Sequence, residues 1–333
     1  MNDMVVTERR RLGRSGPEVS AIGLGCMSLS GVYGTSDDTA GIALIHRAID
    51  LGVDHFDSSD MYGWGQNEEL LGRALKGRRN GVVIASKFGQ TQRPGGANGV
   101  DGSPAYISQA CEASLKRLGV EVIDLYYQHR VDPAVPVEET VGAMARLVEQ
   151  GKVRHLGLCE ARPERIRRGH AVHPIAAVQS EFSLLYREEA TEIRKLTTDL
   201  GIAFVAYAPL GRSLLAGVVP DLNHLDAGDT RGRHPRFMGD NLAKNRALVE
   251  RIETIAEEKR CTPAQLALAW LSAQGPDVIP IPGTKWITRL EENLGALEVR
   301  LTPAEVDRIS AAIPIGASAG TRYPEGGMRG VYI

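Results

Sequence analysis

VDHFDSSDMYG, residues 53–63, is the stretch on which the fold turns. It opens as a short apolar run and ends on Asp57. Asp57-Ser58-Ser59 then stands where an open dinucleotide-binding sheet would carry GxGxxG after its first strand. The Gly23-x-Gly25 pair upstream also lacks the third glycine. Two later stretches repeat the pattern: GVVIASKFG at 81–89 runs apolar to Lys87, and DLYYQHR at 124–130 runs to His129. A closed barrel brings such strand ends together on one axis.

Working outward, strands are expected at 53–57, 81–87, 122–128, 153–159, 175–180, 202–208 and 277–281, with the apolar stretch 296–301 as the candidate eighth. Most are continuous rather than alternating, which suits strands covered on both faces. Helical segments fall at 36–51, 67–76, 103–118, 136–150, 187–200, 240–259, 262–274, 286–294 and 302–311. Capping residues and glycines delimit them: Ser103-Pro104 opens one that Gly119 closes, and Thr262-Pro263 and Thr302-Pro303 open two more. The expectation is an α/β fold, one (β/α)8 TIM barrel domain over residues 1–333. The alternative is an open doubly wound sheet. RRLGRSGPEVSAIGLG, residues 10–25, reads as an N-terminal β-hairpin turning at Ser15-Gly16-Pro17 and placed to plug the barrel's bottom. Three long loops are expected at 89–102, 210–239 and 313–333. The first two follow strands and so belong at the C-terminal face, where long loops serve function.

Composition excludes several classes. The chain has 333 residues, 43% of them hydrophobic, enough for a large core. A formal charge of -2 and a pI near 6.5 give no bulk attraction to nucleic acid or anionic lipid. No run of about 18 apolar residues exists to span a membrane. MNDMVVTERRRLG has no apolar core of a secretory signal, so a cytoplasmic location is expected. Cys26, Cys111, Cys159 and Cys261 lie far apart, which argues for reduced thiols and no metal site.

Asp57, Lys87 and His129 end three strands, and Tyr62 lies five residues past Asp57 over the same mouth. Asp57 would hold Lys87. A cation beside the Tyr62 hydroxyl favours the phenolate and would lower the tyrosine pKa from about 10, making a usable acid and base. His129 would donate a hydrogen bond to a substrate oxygen. Taken singly, an Asp–Lys pair is as often structural, and a lone strand-end histidine is more often a satisfied polar residue. The joint placement carries the reading.

With these residues in view, the sequence resembles the aldo-keto reductase family of (β/α)8 NADPH-dependent oxidoreductases. IGLGCM at 22–27, HFDSSDMYG at 55–63, ASKFG at 85–89, DLYYQHR at 124–130, VQSEFS at 178–183, AYAPLGRSLLAG at 206–217 and IPIPGTKWITRLEENLGAL at 279–297 carry the resemblance, which runs from Leu12 to about Ile309. YYQHR and EENLGAL are similar to the microbial and plant branch that includes perakine-reductase-like enzymes. The resemblance implies a catalytic tetrad of Asp57, Tyr62, Lys87 and His129. Hydride would pass from nicotinamide C4 to a carbonyl carbon with Tyr62 as general acid, reversibly, so the partner is a small carbonyl or alcohol substrate. For NADPH it implies Tyr207 stacked on the nicotinamide and Gln179 at the carboxamide. Leu210, Gly211, Arg212, Ser213 and Leu214 would wrap the pyrophosphate. Gly283, Thr284 and Lys285 would meet the adenosine phosphate, Arg289 the 2′-phosphate, and Glu292 and Asn293 the adenine. Gly25 and Met27 would line the same groove. Where many members have Ser-Asn for the carboxamide, this chain has Cys159-Glu160, and Gly283 replaces a frequent lysine. Met27, Tyr33 and Trp64 are expected in the substrate pocket. Competing functions are a cofactor-binding regulatory subunit with slow turnover and a Lys87 Schiff-base lyase. The residues do not set an oligomeric state.

Overall fold

The computed structural model describes residues 5–92, 98–218, 221–226 and 228–333. Residues 1–4 of the opening stretch and parts of the expected loops 89–102 and 210–239 lie outside the described residues. The chain opens with an antiparallel hairpin, β1 (Arg9–Arg11) and β2 (Glu18–Ser20). Three parallel strands follow: β3 (Leu24–Gly25), β4 (His55–Asp57) and β5 (Val83–Phe88). A small antiparallel hairpin, β6 (Gln90–Gln92) with β7 (Asn98–Val100), comes next. The parallel set resumes with β8 (Ile123–Gln128), β9 (Val153–Cys159), β10 (Ile175–Glu181), β11 (Ala203–Tyr207) and β12 (Val278–Pro280). Their order is β12-β11-β10-β9-β8-β5-β4-β3. The Gly23 and Gly25 N–H groups donate to Pro280 O and Pro282 O at 3.0 and 3.3 Å and close the ring.

The helices α1 (Asp38–Asp50), α2 (Gln66–Leu75), α3 (Pro104–Leu118), α4 (Val137–Glu149), α5 (Pro163–Val172), α6 (Glu188–Leu200), α7 (Asp240–Lys259), α8 (Pro263–Ser272), α9 (Ile287–Leu294) and α10 (Pro303–Ala312) surround the strands. Their ends follow local chemistry. Asp37 accepts from Ala40 N at the start of α1, and Thr262 and Thr302 make capping boxes with Gln265 and Glu305.

Two apolar layers result. Outward residues such as Phe56, Ile84, Leu158 and Phe204 pack with Leu44, Leu71, Met144 and Ile193 of the helices. Inward residues Val83, Ala85, Leu125, Tyr127, Ala177, Val205 and Ile279 form a second cluster that Leu12 and Val19 of the first hairpin join. The hairpin therefore does plug the barrel. Gly157 faces this interior because the Tyr127 ring fills the space a side chain would take, within 2.2 Å of where a Cβ would lie. Gly13 turns the hairpin at φ +70°, and a Cβ there would stand 2.3 Å from Ala176 O. Gly13→Ala is therefore expected to cost about 2 kcal/mol or more in urea unfolding, from the left-handed backbone and the clash together. A loss below half that figure would show that the hairpin shifts freely.

Three expectations are corrected. The stretch 296–301 is no strand; Gly295–Glu298 is a 3-10 turn on the outside, following α9. The eighth strand is instead β3, two residues of IGLGCM kept short by the turn that begins at Cys26. Asp57, Lys87 and His129 thus end the second, third and fourth barrel strands. Helix α5 lies between β9 and β10, where no helix was expected: RRGH at its centre breaks the apolar stripe. Part of the loop 89–102 is the β6–β7 hairpin.

Candidate active site

Strand alternation places the polar groups. Residues 83, 85 and 87 of β5 face inward together, so a strand that fills the interior with Val83 and Ala85 must end on an inward Lys87. The same parity brings Asp57, His129, Cys159, Gln179 and Tyr207 to the axis. Lys87 is wholly buried, with Nζ 2.5 Å from Asp57 Oδ1, 2.7 Å from Ser58 O and 3.3 Å from the Tyr62 hydroxyl. Gln179 Nε2 donates to the other Asp57 oxygen at 2.8 Å. Tyr62 is carried over the mouth by a turn in which Gly63, Trp64 and Gly65 all have positive φ.

The electrostatics differ from the sequence expectation in one respect. Burial pushes the Tyr62 hydroxyl up to about 12, and the pull of Lys87 only moderates it. A single cation already shared with Asp57 does not outweigh the loss of water. Burial also opposes the Lys87 charge, but Asp57 and then Tyr62 hold the ammonium above its usual range. The site therefore presents a protonated phenol beside a fixed cation, an arrangement that stabilises phenolate once a proton has left.

His129 stands with its ring edge-on to Tyr62, centroids 5.8 Å apart. Burial, then Arg130 and Lys87, keep its imidazole neutral, well below the usual range. Its Nδ1 lies 3.0 Å from Ser59 Oγ, a partner that sequence reasoning did not single out although SSD follows Asp57 directly.

A cavity of about 1460 Å³ opens above these groups. Asp57, Tyr62, His129, Gln179 and Tyr207 line its floor, with Gly25, Met27 and Tyr33 beside them. Leu210, Arg212 and Ser213 line one flank; Gly283, Thr284, Lys285, Arg289, Glu292 and Asn293 extend it outward. Gly211 and Leu214 are buried behind that flank. Arg212 and Ser213 both hold positive φ, a strained backbone kept at functional loops. Lys285 Nζ donates to Tyr33 O at 3.1 Å and Thr35 O at 2.8 Å and has no carboxylate partner among the described residues. Arg289 pairs with Glu292 at 2.5 Å.

Three expected residues fall elsewhere. Trp64 is 44% exposed and is not among the residues that line the cavity. Cys159 is buried in the interior, its thiol pushed up to about 12 by burial. Glu160 turns away at φ 53°, and both carboxylate oxygens accept from Arg322, at 2.8 and 3.0 Å. That pair anchors the C-terminal segment, which the sequence marks only as a long loop and which walls the cavity. Its Tyr323 hydroxyl lies 3.1 Å from the Tyr207 hydroxyl, and the Arg212 guanidinium rests on the Tyr323 ring at 4.9 Å. Below it, buried Glu181 binds Arg212 at 3.2 Å and Arg236 at 2.7 Å. Burial alone would raise the Glu181 carboxyl, but Arg212, Arg236 and Arg322 push it down to about 2. Arg130 and Arg231 also line the cavity and were not foreseen, though Arg130 follows His129 directly. No cluster of His, Cys, Asp or Glu suited to a metal ion occurs among the described residues, and no described helix is long and apolar enough to cross a membrane.

Residues 21–314 match the sequence profile of the Aldo/keto reductase family. The chain is 49% identical over 323 residues to probable aldo-keto reductase 1 of Glycine max, covering 95% of this chain and 92% of that one. Among solved structures, it is similar to a glycerol dehydrogenase of Gluconobacter oxydans, with a TM-score of 0.82 and 29% identity over 92% of this chain and 97% of that one. It is also similar to an aldo-keto reductase of Bacillus halodurans in its holo form, with a TM-score of 0.78 and 28% identity over 96% of this chain and 99% of that one.

Proposed function

The chain belongs to the aldo/keto reductase family, and from that premise we propose that it is a cytoplasmic, NADPH-dependent carbonyl reductase, reversible toward alcohols, with Asp57, Tyr62, Lys87 and His129 as its catalytic groups. One observation carries the reading: Lys87 Nζ touches both Asp57 and the Tyr62 hydroxyl on the floor of the cavity. The cavity supports the cofactor. At about 1460 Å³ it exceeds the roughly 300–1,000 Å³ of an ordinary small-molecule site, which leaves room for a dinucleotide and a substrate together. Arg212, Lys285 and Arg289, with the Ser213 and Thr284 hydroxyls, are a donor set suited to phosphates.

A nicotinamide dinucleotide bound there supplies the hydride. Tyr207 and Gln179 would hold the nicotinamide end, residues 210–214 the pyrophosphate, and Gly283 to Asn293 the adenosine end. Tyr62 gives its proton to the carbonyl oxygen, Lys87 stabilises the phenolate left behind, Asp57 fixes Lys87, and neutral His129 aims the oxygen. An amine kept charged among three acceptors is a poor nucleophile, which speaks against a Lys87 Schiff base. The test is NADPH oxidation against a panel of aldehydes, ketones and quinones, with the reverse run on alcohols. Tight NADPH binding with no turnover on any of them would replace the reductase with the regulatory-subunit reading.

Arg289 is the residue proposed to meet the 2′-phosphate. Arg289→Met is expected to raise the NADPH dissociation constant about tenfold, the value of one exposed charge-assisted contact, and NADH by far less. Equal losses in a fluorescence titration with the two cofactors would remove that assignment.

A further inference from the structure

The sequence runs Asp57-Ser58-Ser59-Asp60, and the catalytic reading uses the side chain of its first member and the backbone oxygen of its second. Ser59 is fully buried, and its Oγ stands between two groups: His129 Nδ1 at 3.0 Å and Asp60 Oδ1 at 3.3 Å. It also accepts the Met61 N–H at 3.3 Å. One hydroxyl carries one proton, so Ser59 can donate to the imidazole or to the carboxyl, not to both. His129 is neutral and likewise carries one ring proton. Nδ1 faces Ser59, and Nε2 has no protein partner among the described residues on a side chain that lines the cavity.

The directions of these bonds are therefore linked. With Asp60 ionised, the charge-assisted bond, roughly twice as strong as a neutral one, takes the Ser59 proton. His129 must then donate from Nδ1 to Ser59, and Nε2 presents a lone pair. With Asp60 protonated, Asp60 donates to Ser59, Ser59 donates to Nδ1, and Nε2 carries the hydrogen. Only the second state can donate to a carbonyl oxygen. We infer that Asp60 and Ser59 are positioning residues that set the tautomer of His129, and that uptake of one proton switches the site into its carbonyl-binding state. The balance is simple. A proton arrives at Nε2 from the cavity, the Nδ1 proton passes to Ser59, and the Ser59 proton passes to Asp60.

The surroundings place this switch in the working range. Burial and then Glu68 of α2 push the Asp60 carboxyl up to about 7, while Arg117 of α3 pulls it back. Arg117 is engaged with Glu68, at 2.6 Å, which limits its help to Asp60. Tyr106 of α3 and Tyr126 of β8 also face Asp60, and Lys87 and Arg130 face His129. Tyr62, at about 12, does not titrate in this window. A fall in carbonyl reduction as pH rises through about 7 then belongs to Asp60.

The inference rests on the proposed role of His129 as donor, so its test reads the tautomer directly. Nitrogen-15 histidine spectra of the cofactor-free protein at pH 5.5 and 8.5, with His129→Gln for assignment, are expected to show Nε2–H at the lower pH and Nδ1–H at the higher. Asp60→Asn, whose amide donates to Ser59 permanently, is expected to hold Nε2–H at both and to keep kcat/KM at its low-pH plateau. Ser59→Ala is expected to uncouple the tautomer from pH and to lower kcat/KM for carbonyl reduction roughly tenfold, the worth of one oriented hydrogen bond. A wild-type His129 tautomer that ignores pH, or one that still follows pH in Asp60→Asn, overturns the relay even in an active reductase. A tautomer that follows pH as described, in a protein that reduces no carbonyl, leaves the relay standing and removes the proposed function instead.

Discussion

Tyr62→Phe is expected to reduce carbonyl turnover by about a thousandfold while NADPH affinity stays within a few-fold of wild type. The magnitude follows from what a positioned general acid contributes, about 10² to 10⁴. The upper half of that range applies because no other described side chain offers a proton at that point. Lys87 is committed to Asp57 and Ser58, and His129 is a neutral donor too weakly acidic to replace a phenol. The substitution is mild for the fold. A phenylalanine ring keeps the edge-on contact to His129, and Lys87 retains two of its three acceptors. Single-turnover reduction at pH 7, beside a fluorescence titration with NADPH, measures both halves. Turnover within tenfold of wild type would remove Tyr62 as the proton donor. A parallel collapse of NADPH binding would point to misfolding, which thermal unfolding then detects. Because burial keeps the Tyr62 hydroxyl at about 12, the wild-type reduction should show no loss from its ionisation below about pH 11.

The barrel was legible where strands such as β5 and β8 are continuous buried runs that lead to an ionisable side chain. Val83, Ala85 and Lys87 share one parity, and so do Leu125, Tyr127 and His129, so inward positions can be counted back from the ionisable residue. The same logic fails at β3. Two residues give no periodicity, and the bonds from Gly23 and Gly25 that close the ring are backbone contacts to the far end of the chain. Helix α5 was missed for a related reason: its burial rests on Pro163, Ile166 and Gly169, too few apolar side chains to mark a face.

The site divides along the same line. Residues fixed by their own strand were readable, and residues fixed by a distant segment were not. Glu160 could be read only as a departure, since its partner Arg322 lies 162 residues on. Glu181 sits in the quoted VQSEFS, yet its meaning depends on Arg212 and Arg236 from the long loop. The lowered tyrosine pKa was expected from a neighbouring cation alone, and burial, which the sequence does not quantify, proved the larger effect. Trp64 is expected in the substrate pocket, but it stands 44% exposed on a turn whose Gly63, Trp64 and Gly65 all hold positive φ, a local backbone conformation that the sequence pattern does not display.

Asp57→Asn is expected to cost about 3–5 kcal/mol of stability at pH 7 and to reverse the protein's response to alkali. The cost is that of leaving one partner of a buried ion pair alone, and Lys87 is wholly buried. In the wild type the folded-state pKa of Lys87 is raised above its unfolded value of about 10.5. Its contribution is thus complete below that value and is lost only as pH climbs through the higher, folded one. Without Asp57, burial dominates and the folded pKa falls below the unfolded one. The unfolded state then binds the extra proton, and stability rises with pH until Lys87 is neutral in both states. Urea unfolding at pH 7, 8.5 and 10 separates the two cases. The gap between wild type and variant should narrow as pH increases, whereas a gap that stays constant would mean that Lys87 keeps its charge without Asp57. Catalysis should follow the charge. A neutral amine beside Tyr62 stabilises phenolate far less than an ammonium does, so the variant should reduce carbonyls well below the wild-type rate wherever Lys87 is deprotonated, and recover part of the rate toward lower pH.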